Sequence, residues 1–156
     1  LSLILNRSNR QYLRYFKTLI PIAIGNDENY YNAKHFTDNN KQMKVAELAE
    51  KQEMKIVSGH QGLSRIIEGG YACDLLSDVM GNAVEGQVWI TLQTHKNIMA
   101  IASLKELAAV ILVKGLQPDE DTKKQSDEEG IPILTTQGEA FETAGKIYRL
   151  LQEQTG

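Results

Sequence analysis

The sequence predicts an α/β fold: a single domain of three layers, α/β/α, around a mainly parallel sheet. Three observations carry that expectation. The runs "QVWITL", "AAVILVKG" and "IPILTT" are short and apolar without alternation, as strands covered on both faces are. Segments of helical period lie between them. Strands that alternate with helices at this spacing assemble into a parallel sheet with helices on both faces.

The pattern becomes regular at Met43. "MKVAELAEKQE" sets Val45, Leu48 and Ala49 at helical spacing, and "MKIVSG" reads as a short strand. "SRIIEGGYACD" is extended, with glycines at its middle. "DLLSDVMGNA" is a helix for which Asp74 is the expected cap. Gly86 closes a turn before "QVWITL". "NIMAIASLKEL" is the next helix, followed by the strand "AAVILVKG". "PDEDTKKQSDEEG" is expected as a solvated outer helix with Pro118 in its first turn and Gly130 past its end. After "IPILTT" the last helix is expected to begin beyond Thr136, with Glu139 at capping-box spacing. Phe141, Ala144, Tyr148 and Leu151 would give it one apolar face.

Residues 1–42 differ in kind. They hold seven of the nine asparagines and four of the six tyrosines, but one of the 12 glycines, and no period holds for long. Their net charge is +3, against −6 for residues 43–156. Two readings stand: an upstream extension with Met43 as the natural start, or a poorly ordered arm. Either way the domain is expected to span residues 43–156.

Bulk properties narrow the function. A net charge of −3 argues against nucleic acid, which needs a concentrated basic face. No apolar run approaches the roughly 18 residues of a membrane span. The basic residues of "LSLILNRSNR" follow its apolar stretch, where a secretory signal has them in front. Cys73 is the sole cysteine, which fits a reducing cytoplasm and permits no cysteine zinc site.

Candidate site residues lie mainly where strands end. In "WITLQTHKNIMAIASL" a buried strand delivers Gln93, Thr94, His95 and Asn97 to the carboxyl edge of the sheet, in front of a helix. A helix start offers free N–H groups and positive potential to an anion. The alternative is that Thr94 or Asn97 merely caps the helix. Lys114 and Thr135–Thr136 follow the next two strands and would reach the same edge, as an anion pocket or as capping residues. Gly69–Gly70 would bring backbone N–H groups to an anion, or would mark a bulge or tight crossing. His60 and His35 are far from His95 in sequence, so no metal is expected. "GHQGLSR" lacks the lysine and hydroxyl of a phosphate loop, and no G-x-S-x-G stands in the chain. Cys73 reads as a small buried apolar residue. No catalytic residue and no cofactor are expected.

"GGYACDLLSDVM", followed by "WITLQTH" and later "GIPILTT", resembles the standalone bacterial members of the DRTGG domain family from Met43 to about Leu151. The glycine pair of the signature is Gly69–Gly70. Here "IIEGG" stands where the family's name has aspartate, arginine and threonine, so the resemblance carries no role for those three side chains. Similar domains occur within phosphate acetyltransferases and between the CBS motifs of some pyrophosphatases, and the fold is similar to the amino-terminal domain of HPr kinase. In those settings the domain is regulatory or oligomerising and catalysis lies elsewhere.

The resemblance thus implies a noncatalytic module, and the lone cysteine fits a cytoplasmic one. It would bind a small phosphorylated or nucleotide ligand and act on a separate partner enzyme. The alternative is a small enzyme working on a phosphorylated metabolite at the strand ends. A homodimer is also expected. The helix from Asn97 to Leu107 carries Ile98, Met99, Ile101, Ala102, Leu104 and Leu107, more apolar side chains than one sheet contact should cover.

Overall fold

The structure is a computed structural model that describes residues 42–154. The expectations for residues 1–41 lie outside the described residues. The described residues form five α-helices and five strands, with a 3-10 turn, His60–Gly62, between the first two strands: α1 Val45–Lys51, β1 Lys55–Ser58, β2 Gly69–Ala72, α2 Leu76–Asn82, β3 Gln87–Thr91, α3 Asn97–Leu104, β4 Ala109–Leu112, α4 Glu120–Glu129, β5 Ile133–Thr135 and α5 Ala140–Gln152.

The strands form one sheet in the order β1-β5-β4-β3-β2. β1 runs antiparallel to β5; the other pairs are parallel. Successive side chains leave opposite faces of a strand, and the core divides accordingly. Val88, Ile90, Ala109, Ile111 and Leu134 face α1 and α5. Trp89, Val110, Leu112 and Ile133 face the side covered by α2 and α3. Truncating a fully buried side chain such as Leu112 to alanine would cost about 2–5 kcal/mol. The indole of Trp89 is fully buried, and its Nε1 donates to Cys73 O at 2.8 Å. Among the described residues no buried side-chain nitrogen or oxygen lacks a partner.

α4 packs beside α3 and against β1. It is an outer helix, yet its inner side is not solvated. Thr122 and Ser126 are buried, and Ser126 Oγ donates to Ile131 O at 2.7 Å while accepting from Ser58 Oγ at 2.8 Å. Its cap is Asp119, whose Oδ1 accepts from Thr122 N, so Pro118 stands just ahead of the helix rather than in its first turn. Gly130 ends it with φ of 62°.

Several expectations need correction. α3 does not leave surplus apolar surface. Ile98, Met99, Ile101, Ala102 and Leu107 are all buried within the chain, because α2 and α4 flank the helix over the sheet. Leu104 alone of the six is exposed, so the argument for a homodimer through this helix falls. α5 starts at Ala140, later than expected, with no side-chain cap at Glu139. The residues before it are spent on a turn in which Gly138 N donates to Thr136 Oγ1 and Gly138 O accepts from Lys114 N. Of the apolar face expected on α5, Ala144 and Leu151 do pack inward, but Phe141 and Tyr148 do not. Thr143 and Ile147 are buried, Ala140, Ala144, Leu150 and Leu151 pack beside them, and Phe141 and Tyr148 point outward. The small Ala140 and Ala144 let the helix seat closely over β2 and β3.

Candidate functional site

Parallel strands bring their carboxyl ends to one edge, and four chain exits meet there, after β2, β3, β4 and β5. Asp74, just past β2, organises the first two. Its Oδ1 accepts from Thr91 Oγ1 and from Leu92 N, each at 2.7 Å. Its carbonyl accepts from Gln93 Nε2 at 3.3 Å. This corrects the expected cap: Leu75, not Asp74, precedes α2, and no side chain caps that helix. The carboxylate is drawn instead to the neighbouring strand's exit, where it satisfies a backbone N–H that the sheet leaves free. Gln93 is thereby a brace between two exits.

The next turn, between β3 and α3, is tied to the start of α4. Thr94 O accepts from Asp119 N at 3.4 Å and from Thr122 Oγ1 at 3.1 Å. His95 Nδ1 lies 3.6 Å from Asp119 Oδ2. The Thr122 hydroxyl and backbone N–H hold the Asp119 carboxyl below the usual carboxylate range, with a smaller contribution from His95. Neither Thr94 nor Asn97 caps α3; Lys96 occupies the cap position without a side-chain bond. His95, Lys96 and Asn97 are exposed.

At the exit of β4, Lys114 and Gly115 are both left-handed, with φ of 58° and 68°. Leu116 N closes the turn onto Val113 O at 3.2 Å. Lys114 N donates to Gly138 O and Gly115 N to Thr136 O, so neither amide is free for an anion. A Cβ at residue 115 would stand 2.6 Å from Gln137 Oε1. Thr135 is buried and its Oγ1 donates to Leu116 O at 2.8 Å, which makes it a strut. Lys114 Nζ pairs with Glu139 Oε2 at 3.1 Å. The edge thus presents an ion pair, Lys114–Glu139, and a histidine–carboxylate contact, His95–Asp119. An anionic ligand would have to displace a carboxylate from its partner.

Gly69 and Gly70 do not join this cluster. They pair with Gln87 and Val88 at the amino end of β3, the opposite end of the sheet. Nor do they mark a bulge or a tight crossing. The register through them is unbroken, and an added Cβ would meet Gln87 at 3.6 Å and Val88 at 3.7 Å, ordinary contacts. The close crossing lies instead at "GHQG", where a Cβ on Gly59 would come within 2.4 Å of Ile131 O and one on Gly62 within 2.2 Å of Gly130 O.

A second polar cluster was not anticipated. Tyr71 OH donates to Asp78 Oδ2 at 2.5 Å, and Asn82 Nδ2 donates to Asp78 Oδ1 at 3.0 Å. The shared bond pushes the Tyr71 phenol up and holds the Asp78 carboxyl down. Only the helical i, i+4 spacing of Asp78 and Asn82 was available as a signal. Cys73 is half-buried at the core margin, and its Sγ accepts from Leu75 N at 3.4 Å. Among the described residues no three potential metal-ligating side chains converge, and no helix is long and apolar enough to cross a membrane.

The sequence model of the DRTGG domain matches residues 47–150. A search of curated proteins finds no match. Among solved structures 11 chains match. One is the CBS and DRTGG domains of the regulatory region of Clostridium perfringens pyrophosphatase, complexed with its activator diadenosine tetraphosphate. It is similar in fold, with a TM-score of 0.52 at 12% identity. The match covers 79% of this chain and 56% of that one, so this chain spans little more than half of the regulatory region.

Proposed function

The chain belongs to the DRTGG domain family, and we propose that it is a noncatalytic regulatory module: it senses a nucleotide or another phosphorylated small molecule and acts on a separate partner enzyme. The observation that carries the reading is the Lys114–Glu139 pair, which joins the exit of β4 to the start of α5. A phosphate that takes Lys114 from Glu139 releases the residue that precedes α5. Binding at the edge would in this way alter the seating of a helix that crosses to β2 and β3. His95, released from Asp119, would supply a second donor from the neighbouring exit. The pyrophosphatase regulatory region, similar in fold, binds a nucleotide activator, which supports a ligand of this class.

The test is a thermal-shift titration of the full chain with ATP, diadenosine tetraphosphate and inorganic phosphate. A ligand at a hundredfold its Kd should stabilise the fold by about 2.7 kcal/mol. Lys114→Ala should abolish the response. A response that survives both Lys114→Ala and His95→Ala would move the site elsewhere; no response to any of the three would sink the nucleotide reading. Labelled ATP should transfer no phosphoryl group to protein or water. Turnover that disappears with Lys114→Ala or His95→Ala would establish the enzyme reading instead. We also place the folding unit in residues 43–156, which should keep the thermal midpoint of the full chain.

A further inference from the structure

The sheet has two outer strands, and they are treated differently. β1 carries Lys55, an irregular register between Ile56 and Ser58, and α4 packed against it. Charge, bulge and cover are the devices that keep sheet edges from pairing. β2, Gly69–Ala72, has no charge, no proline and an unbroken register. Among the described residues no strand pairs with its free edge.

The surroundings of that edge are apolar on both faces of the sheet. On one face α2 is tied to β2 by the Tyr71–Asp78 bond, and it carries exposed Met80 between exposed Leu75 and Val84. On the other face α5 lies over β2. Lys146, Arg149 and Leu150 of α5 line a cleft with the end of α1. Phe141 and Tyr148 project from the opposite flank of α5, 93% and 67% exposed. Five of the seven exposed large apolar side chains among the described residues therefore lie in the helices that flank β2 or within two residues of their ends. Along the stretch of chain that contains β2 the charge is one-sided as well. From Ile66 to Thr94 the chain carries Glu68, Asp74, Asp78 and Glu85 and no lysine, arginine or histidine.

We propose that the free edge of β2 is a docking surface for an extended segment of a partner protein. The segment is apolar at its centre, carries arginine or lysine at its ends, and adds to the sheet as one more strand. Backbone groups of Gly69–Ala72 supply the pairing, and the apolar flanks supply contact on both sides of the added strand. A second copy of the chain fits less well, because it would set Glu68 and Asp74 against their own counterparts. The proposal deepens the reading of the chain as a module acting on a partner, and its test uses no small ligand.

The probe is a fluorescent peptide, Arg-Val-Thr-Val-Tyr-Val-Thr-Arg, titrated with the full chain and followed by anisotropy. It should bind, more weakly as salt is raised. Glutamate in place of both arginines should weaken it at least about tenfold, a difference of about 1.4 kcal/mol. Proline at the central valine should do the same by removing a main-chain donor. Gly70→Lys, which installs an edge guard, and Met80→Lys and Tyr148→Lys, which alter exposed positions, should each weaken binding about tenfold with unchanged circular dichroism. The proposal is overturned by absence of binding, by equal affinity for the glutamate peptide, or by variants that bind like the parent. It is overturned also if the chain is a dimer that Met80→Lys converts to monomer, since a second copy then holds the edge. Peptide binding without any nucleotide response would refute ligand sensing and leave the docking surface standing; the converse would refute only the docking surface.

Discussion

Asp74 holds the exit of β3 from the end of β2: one carboxylate oxygen accepts both the Thr91 hydroxyl and the Leu92 N–H at 2.7 Å. Removing it strands a hydroxyl and an amide at the turn that positions Gln93, Thr94 and His95. Asp74→Ala should lower stability by about 1.5–3 kcal/mol, the range for hydrogen bonds to a charged group. Asp74→Asn keeps one acceptor oxygen and should recover at least half of the loss. Urea denaturation of the three proteins decides the matter. Equal stability of Asp74→Ala and the parent would show that water replaces the carboxylate without cost. Any nucleotide response should weaken in parallel with the loss, because the turn and the edge share this support.

Lys114 and Gly115 test whether the exit of β4 is built for stability or for use. Gly115→Ala forces a side chain into a left-handed conformation and against Gln137. It should cost at least about 1–2 kcal/mol. Lys114→Gly removes a non-glycine residue from the same region and should leave stability unchanged or raise it by up to about 1 kcal/mol. The same substitution deletes the partner of Glu139 and should abolish the nucleotide response. Loss of stability in Lys114→Gly would mean that the lysine earns its place structurally, through the ion pair.

Asp119 supplies a pH signature. Its carboxyl is held low in the folded chain, chiefly by bonds from Thr122. A depressed carboxyl contributes stability that is present above its unfolded pKa and is lost as pH falls through its folded pKa. Stability should therefore decline with acidification below the usual carboxylate range. Asp119→Asn retains an N-cap acceptor and should flatten that part of the profile without a comparable loss at neutral pH. The measurement is the thermal midpoint of both proteins across the acidic range. Parallel profiles would remove Asp119 from the account.

The fold was legible because burial on two faces leaves a compositional trace: Val88 to Thr91 and Ala109 to Leu112 have no polar phase to misread. The gathering of Gln93 to His95 with Lys114 and Thr136 at one edge followed from parallel strands alone. What was not legible is decided by partners far apart in sequence. Asp74 has the spacing of a helix cap, but the stronger claim on it comes from residues 17 and 18 positions later. Gly69 and Gly70 attract attention as a pair, while the glycines where an added Cβ would come closer than 3.0 Å to a neighbour are Gly59, Gly62, Gly86 and Gly115. A glycine's neighbours cannot be counted from its own strand. On α5 the expectation holds for Ala144 and Leu151 and fails for Phe141 and Tyr148, whose size and apolarity suggested burial; Thr143 and Ile147 are buried instead, beside the small Ala140 and Ala144.

The burial of α3 changes what a charge on that helix should do. Met99 is fully buried between the sheet and the flanking helices, and Leu104 on the same helix is 68% exposed. Met99→Lys would place an ammonium within a buried apolar cluster, at a cost of several kcal/mol. It should unfold the domain or prevent its accumulation. Were α3 a subunit interface, the same substitution would instead yield folded monomers. Leu104→Lys should leave stability within about 0.5 kcal/mol, as surface changes do. Circular dichroism and light scattering on both variants, with the parent, separate the outcomes. A folded Met99→Lys of reduced mass would return α3 to the surface and contradict the packing of α2 and α4 around it. A folded Leu104→Lys of reduced mass would leave that packing intact and assign self-association to the outer side of the helix.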